Sequence, residues 1–337
     1  MSRSGTGDRQ KDPPPSVAVI IVNHATAEHC LAAVESIRRQ PNRGCHVDIH
    51  VVDTASPGDD AVRLTREAAA RGWGAAVRIW RETVNRGYGA GNNVVLEALA
   101  AAPRPPDYVL FLNPDARLAN DAIAILARWL DAHPDAGFAG PQIRLLDRAT
   151  LRTSAFRFPT LVSVFARAAD LAALSRWLRH WQVALETDGR PRRVDWVSGA
   201  GFLARFRAVE ALGFFDPAFF LYFEEVDLMR RGRARGWTCW HVPRAEILHE
   251  EGAATAGRGE GPEARLDHWY ASWARYFRKS HGRAYALAAA LLWLGGTALN
   301  VVAARFAGRP PSAPPGAFAA FRRAALRPLL GRAARRP

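Results

Sequence analysis

The sequence predicts an α/β chain built on a mostly parallel sheet flanked by helices. Three observations predict it. Short continuous apolar runs rich in β-branched or aromatic residues recur at 16–22, 47–52 and 108–112, the pattern of strands buried on both faces. Helical periodicity fills the intervals, and strands alternating with helices form parallel βαβ units. Each run ends in polar residues, Asn23, Asp53 and the Leu-Asn-Pro-Asp sequence that closes on Asp115. Open α/β sheets bind ligands outside such carboxyl ends.

Residues 1–15 read as a disordered leader, polar and Pro-rich, without the apolar stretch of a secretory signal. The first strand, 16–22, feeds Asn23-His24-Ala25-Thr26 and a helix to about residue 40, with Thr26 as its N-cap. A strand at 47–52 ends in Asp53, and a helix follows over 59–71. A third strand at 75–80 leads to a Gly-rich loop, 85–93, and a helix over 94–102. The strand at 108–112 precedes a helix at 121–133. Beyond residue 140 the pattern loosens. A mostly helical stretch covers 161–182, and a strand–turn–strand covers 194–205. A charged helix over 224–235 and strands at 237–242 and 246–250 complete the core.

The charge of +14 is unevenly placed: from His268 onward there are 12 Lys/Arg and no Asp/Glu, and the rest is nearly neutral. A basic tail with no nucleic-acid-reading fold points away from nucleic acid and toward an anionic membrane surface, where each basic residue adds roughly 1 kcal/mol. Residues 284–304 carry no charge, and at about 1.5 Å per residue they match a bilayer core. Basic clusters flank both ends, so a helix lying in the interface is favoured over a span. Cys30, Cys45 and Cys239 form no pairing pattern, which argues for a reducing compartment and against structural zinc.

Five constellations carry possible chemistry. A buried strand cannot easily hide a charge, so Asp115 calls for a metal or a polar ligand. One carboxylate is not a site, and His249 is the candidate second ligand, in a donor set that suits manganese better than magnesium. Asp53 can accept from a uracil or thymine ring N–H, or simply cap the next helix. The Gly-x-Gly-x-Gly spacing around Asn85, Arg86, Gly87 and Asn92 follows the third strand. A dinucleotide fingerprint would follow the first, so these glycines open backbone access to a donor or form a tight turn. Glu224, Glu225 and Asp227 follow an aromatic run. Packing of that kind raises carboxyl pKa values and suits a general base, although acids also favour helix N-termini. Trp196, Gly199 and Ala200 suit a sugar face, or a buried Trp before a turn.

Taken in order, the pieces resemble glycosyltransferase family 2: Asn23, Val-Asp53-Thr-Ala-Ser56, Asn85-Arg-Gly-Tyr-Gly-Ala-Gly-Asn-Asn93, Leu-Asn-Pro-Asp115, Asp-Trp-Val-Ser-Gly-Ala200, Phe-Glu224-Glu225-Val-Asp227-Leu and His249. The stretch Thr153-Ser-Ala-Phe-Arg-Phe-Pro-Thr160 is similar to the rhamnosyltransferase branch. The resemblance covers about residues 16–280. The Asn-Pro-Asp and Glu-Glu-Val-Asp-Leu pieces are its most specific motifs.

The resemblance implies a GT-A-type, Rossmann-like sheet over 16–260, with a nucleotide-sugar half at 16–140 and an acceptor half at 141–260. A helical, membrane-associating extension follows over 261–337. It implies inverting transfer of rhamnose or another hexose from a dTDP- or UDP-linked sugar to a glycan or polyprenyl-linked acceptor on the cytoplasmic face of the membrane. It implies Asn23, Asp53, Asn85, Arg86, Gly87, Asn92, Asn113 and Asp115 on the donor. Trp196, Gly199 and Ala200 fall on the acceptor, and Asp115 with His249 on a divalent cation, Mn2+ or Mg2+. It ranks Glu225 above Asp227 as base, with Glu224 beside them. Asn113 stands where the family's metal motif has its first Asp, so coordination falls on Asp115, His249, water and the diphosphate. A nucleotidyltransferase would want a basic Gly-rich loop after the first strand, which is absent, and a non-catalytic scaffold would not need acids at both 225 and 227.

Overall fold

The computed structural model describes residues 13–250, 252 and 261–331. Residues 1–12, within the expected disordered leader, and the end of the basic tail lie outside the described residues. The first half runs β1 (Ser16–Asn23), α1 (Ala27–Arg38), β2 (His46–Thr54), α2 (Asp60–Ala70), β3 (Val77–Glu82), α3 (Tyr88–Ala100) and β4 (Tyr108–Leu112). Next come β5 (Ala116–Leu118), α4 (Ala122–Ala132), β6 (Ala136–Arg144), β7 (Leu151–Arg152), β8 (Ala155–Phe156), α5 (Leu161–Ala169) and α6 (Ala172–Trp177). The core closes with β9 (Arg192–Val194), β10 (Trp196–Val197), β11 (Gly201–Arg205), α7 (Phe206–Ala211), α8 (Glu224–Ala234) and β12 (Thr238–His249). The C-terminal helices are α9 (Pro262–His281), α10 (Arg283–Phe306), α11 (Ala317–Phe321) and α12 (Arg327–Leu330).

The main sheet has the order β3-β2-β1-β4-β11-β6-β12-β5. Its first four strands are parallel, and β11 enters antiparallel between β4 and β6. Because β2 lies on one side of β1 and β4 on the other, the strand order reverses beside β1, the crevice where such sheets take ligands. The central strands are covered on both faces. Val19, Ile21, Val51, Leu110 and Leu112 join one core with α1 and α4, and Ile20, Val52, Val109, Phe111 and Phe202 join another.

Several local expectations change. Residues 88–93 form the first turns of α3 rather than a loop. The stretch 161–182 breaks where Asp170 turns left-handed, at φ +43°. The two strands expected over 237–250 are one strand, β12, with an irregularity between Val242 and Glu246. The interior strand β6 was not anticipated, since Gly137, Gly140 and Pro141 look like a turn. The glycines are there for clearance: a Cβ on Gly137 would meet Trp237 at 2.9 Å, and one on Gly140 would meet Val197 at 2.5 Å. Thr26 does not cap α1 with its side chain. Its hydroxyl donates to Asn23 Oδ1, while Asp60 Oδ2 accepts from the Ala27 N–H.

The helix α9, at the start of the expected C-terminal extension, packs against the segments around 158 and 219–226. Tyr270, Trp273, Tyr276 and Phe277 share a core with Phe158, Phe219, Phe223 and Val226. Lys279, one of two lysines in the chain, joins Asp216 at 2.8 Å to Asp227 at 2.7 Å. Arg231 adds a second pair to Asp227 at 2.7 Å, and Arg275 one to Asp216 at 3.1 Å. Burial alone would raise the Asp216 carboxyl, but Lys279, the Ala218 N–H and Arg275 bring it from 3.8 down to about 2. Helix α10 packs by one face on α5. There Gly296 meets the Phe165 carbonyl and Ala168, and Asn300 donates to the Ala169 carbonyl. Its other face leaves Leu291, Val302 and Phe306 exposed.

Lys279→Met should destabilise the fold by about 2 kcal/mol in urea titrations, less than the loss of a fully buried pair because the lysine side chain is 34% exposed. The Asp216 contribution is full above about pH 4 and fades as pH falls toward 2. The deficit of Lys279→Met should therefore shrink over that interval, and a deficit constant from pH 6 to pH 2 would contradict this assignment.

Candidate active site at the carboxyl edge of the sheet

The strand ends assemble a polar edge. Asn23 ends β1 with no exposed surface. Its Nδ2 donates to Asp53 Oδ1 at 2.7 Å, to Ser56 Oγ at 3.2 Å and to Asp60 Oδ2 at 3.0 Å. Asp53, itself buried, also accepts from the Ser56 backbone N–H. Asn23 is thus not placed to touch a donor, and instead fixes the carboxylate at the end of β2. Ala25 and Ala55, just past β1 and β2, are left-handed at φ +56° and +52°. Non-glycine residues take that conformation at a cost of about 1 kcal/mol or more each.

Past β4, Asn113 is part-exposed and its N–H donates to the Ala200 carbonyl at 2.9 Å. Two residues on, the buried Asp115 sets Oδ1 3.1 Å from His249 Nε2 at the end of β12. The pairing of β12 with β5, where His249 faces Ala116, holds the two together. Among the described residues no group of three or more His, Cys, Asp or Glu is placed to hold a metal. Asp115 and His249 nevertheless fit a divalent cation as one oxygen and one nitrogen ligand. A diphosphate and water would supply the rest.

The acceptor-side carboxylates enter on a strained segment. Tyr222 and Phe223 are both left-handed, at φ +70° and +65°, immediately before α8. Glu224 is buried toward the start of α3, where a Cβ on Gly89 would lie 3.6 Å from its Cβ. Glu225 is part-exposed and lies against Gly199, where an added Cβ would sit 3.2 Å from Oε1. Burial pushes the Glu225 carboxyl from 4.5 up to about 7, against the pull of its own N–H and those of Val226 and Gly199. The backbone of Gly199 and Ala200 therefore links Glu225 to Asn113, and through it to Asp115. Asp227 is turned the other way, into its pairs with Arg231 and Lys279, so it anchors α8 rather than facing the edge.

The loop of 85–93 contributes less to the donor side than its glycines suggest. Gly87 has φ +93°, and a Cβ there would meet the Phe220 carbonyl at 2.0 Å. Its role is close contact with the acceptor segment, reinforced by the Tyr88 N–H donating to that carbonyl at 3.0 Å. Asn92 has no exposed surface and donates to the Tyr88 carbonyl. Asn85 accepts from the Gly87 N–H, and Arg86 is left exposed. Trp196 stacks on Phe156 at 4.0 Å and donates to the Arg157 carbonyl, so one ring face is already taken.

Two residues not singled out from the sequence belong here. Tyr88 is buried, and its hydroxyl is pushed upward by burial, then by Glu224, with Glu225 and Asp115 adding to it. It thus sits within the field of all three carboxylates. Asp60 holds Asn23. A tyrosine at the centre of the glycine loop was the one available signal for the first; nothing in the sequence pointed to the second.

A carboxyl raised in the folded state stabilises below its unfolded value and loses that contribution as pH rises through the folded one. Glu225→Gln should therefore leave the melting temperature unchanged near pH 4 and raise it above that of the natural chain at pH 8. Equal melting temperatures at pH 8 would show that the Glu225 carboxyl is not raised.

The family model described as glycosyltransferase like family 2 matches residues 13–261. The chain is 35% identical over 174 residues to the N-acetylglucosaminyl-diphospho-decaprenol L-rhamnosyltransferase of Mycobacterium tuberculosis, covering 50% of this chain and 53% of that protein. It is 25% identical over 160 residues to the rhamnosyltransferase WbbL of Escherichia coli, covering 47% and 58%. The chain thus spans about half the length of the curated relatives it matches. Among solved structures, its fold is similar to the mannosyltransferase PcManGT from Pyrobaculum calidifontis in complex with GDP-Man and Mn2+. That match has a TM-score of 0.54 and 19% identity, over 88% of this chain and 77% of that one. It is also similar to GalNAc-T7 with UDP, GalNAc and Mn2+, at a TM-score of 0.53 and 15% identity, over 80% and 51%. With the motifs in family order and the match running through the whole sheet, the chain belongs to glycosyltransferase family 2.

Proposed function

We propose that this chain is an inverting glycosyltransferase. It moves rhamnose or a related hexose from a dTDP- or UDP-linked sugar to a hydroxyl of a lipid-linked glycan, in cell-surface polysaccharide synthesis. The observation that carries this is the placement of Glu225 and the Asp115–His249 pair at one sheet edge, connected by the Gly199–Ala200 backbone. The two rhamnosyltransferase relatives supply the sugar class, and the one named for a diphospho-decaprenol supplies the acceptor class.

Asp53 is held by Asn23 and Ser56, and its Oδ2, which takes only a long 3.3 Å bond from the Ser56 N–H, is the atom that would accept from a pyrimidine ring N–H. Asp115 and His249 are the residues that would hold a divalent cation. Such a cation, when bound, supplies positive charge where the leaving nucleotide diphosphate gathers negative charge. Glu225 takes the proton of the acceptor hydroxyl as its oxygen bonds to the anomeric carbon, on the face opposite the departing diphosphate. A carboxyl poised near 7 is a stronger base than an exposed glutamate and is still ionised at neutral pH in a large fraction of molecules. Gly199 leaves room for both that carboxylate and an incoming sugar.

A panel of nucleotide sugars, read by metal-dependent hydrolysis or thermal protection, should single out one donor. The acidic limb of kcat/KM should fall near pH 7 rather than below 5. Glu225→Gln should lose about a thousand-fold or more in turnover while donor binding by calorimetry persists, whereas full turnover would move the base elsewhere. Asp115→Ala, if folded and fully active, would remove the metal role. With one carboxylate in the site, Mn2+ should bind weakly until donor is added.

The exposed face of α10, with Leu291, Val302 and Phe306 between basic flanks, is assigned to the anionic cytoplasmic leaflet. Leu291→Glu with Phe306→Glu should abolish flotation with anionic vesicles; unchanged flotation would reject that surface.

A further inference from the structure

A groove of about 270 Å3 lies between α9, residues 218–220 and the C-terminal helices, with Phe220, His268, Ala271, Arg275, Arg278 and Leu329 among its lining. His268 stacks on Phe220 at 4.5 Å, and Ala274, Ala324 and Pro328 add to the apolar lining. Two guanidiniums sit on this mostly apolar wall, whose other polar lining residues are His268 and Ser272. Arg278 has no ion pair among the described residues. Arg275 spends one nitrogen on Asp216, while its buried Nε has no hydrogen-bond partner among the described residues.

The groove also shares a wall with the proposed catalytic edge. The Phe220 carbonyl accepts from the Tyr88 N–H, and the Ser272 hydroxyl donates to the Leu221 carbonyl at 2.7 Å, so α9 grips the segment that presents Glu224 and Glu225.

We propose that this groove is the acceptor subsite for a polyprenyl diphosphate. The first isoprene units lie along the Ala271–Leu329 wall, and the diphosphate lies on Arg275 and Arg278. An apolar trough carrying two cations matches an amphiphile whose charge is concentrated next to its hydrocarbon; a free sugar or a neutral lipid would use only half of it. This rests on the lipid-linked acceptor of the proposed function.

The test is equilibrium binding of farnesyl diphosphate, below its aggregation concentration, to the full chain, beside inorganic diphosphate and farnesol. Farnesyl diphosphate should bind about ten-fold or more tightly than either. Arg278→Ala should weaken it about ten-fold, and Ala271→Trp, filling the groove from an exposed position, should abolish it. If Ala271→Trp does not fold, Arg278→Ala decides alone. Binding unaffected by both changes, or inorganic diphosphate binding as tightly as the farnesyl compound, overturns the proposal. Nucleotide-sugar binding is followed in the same samples. Donor binding without a farnesyl diphosphate response sinks the groove alone. Farnesyl diphosphate binding without any donor response sinks the transferase reading and leaves the groove standing.

Discussion

Two-sided burial of the central strands is the constraint on which the rest of the molecule depends. Residues 17–22 of β1 and all of β4 are 5% exposed or less, and neither strand has a face to offer water. Unpaired charge inside such a sheet costs several kcal/mol, so the polar residues of these segments collect at the carboxyl ends. Asn23 and Asp115 stand at or just past the ends of two such strands, and Asp53 near the end of β2, whose interior does hold the buried His50. Once there, they are not left to water. Asn23 binds Asp53 and Asp60, and His249 stands beside Asp115. The parallel half of the sheet thus produces a rigid, largely buried acidic edge before any ligand is considered.

The other side of the site is held from far away in the chain. Segment 218–223 carries two consecutive left-handed residues, a conformation that persists only where surrounding contacts over-determine it. Those contacts come from α9. Ser272 binds the Leu221 carbonyl, Trp269 meets Tyr222 and Phe223, and Lys279 holds Asp227 two residues beyond Glu225. In a chain that uses arginine almost everywhere, Lys279 stands where a compact charge must fit between two carboxylates already served by Arg231 and Arg275. The C-terminal region therefore braces the segment that carries Glu224 and Glu225.

Between these two sides runs the short backbone of Gly199 and Ala200. It donates to Glu225 on one side and accepts from Asn113 on the other. The absence of a side chain at Gly199 lets the Glu225 carboxyl sit in dense protein, where one of its oxygens is buried without a hydrogen-bond partner among the described residues, and that burial is what raises it. Asn113 in place of an acid leaves this edge with one fewer negative charge.

The sequence by itself determined the α/β class, the parallel strands β1, β2 and β4, the family and the order of its motifs. Continuous β-branched runs and strand-end polar residues are local signals, and burial on two faces leaves little choice of residue type. It did not determine which way a side chain points. Asn23 and Gly87 read as donor contacts, and their nearest partners, Asp60 and Phe220, belong to other elements, while Asn92 turns back on the Tyr88 carbonyl of its own helix. Asp227 and Glu225 look equivalent along the chain. Arg231 on the next turn and Lys279, 52 residues on, make one an anchor and leave the other at the edge. Strand β6 escaped for the same reason, its glycines being explained by Trp237 and Val197 across the fold. Residue type follows from local burial, but role follows from partners that only tertiary packing brings within a few ångströms.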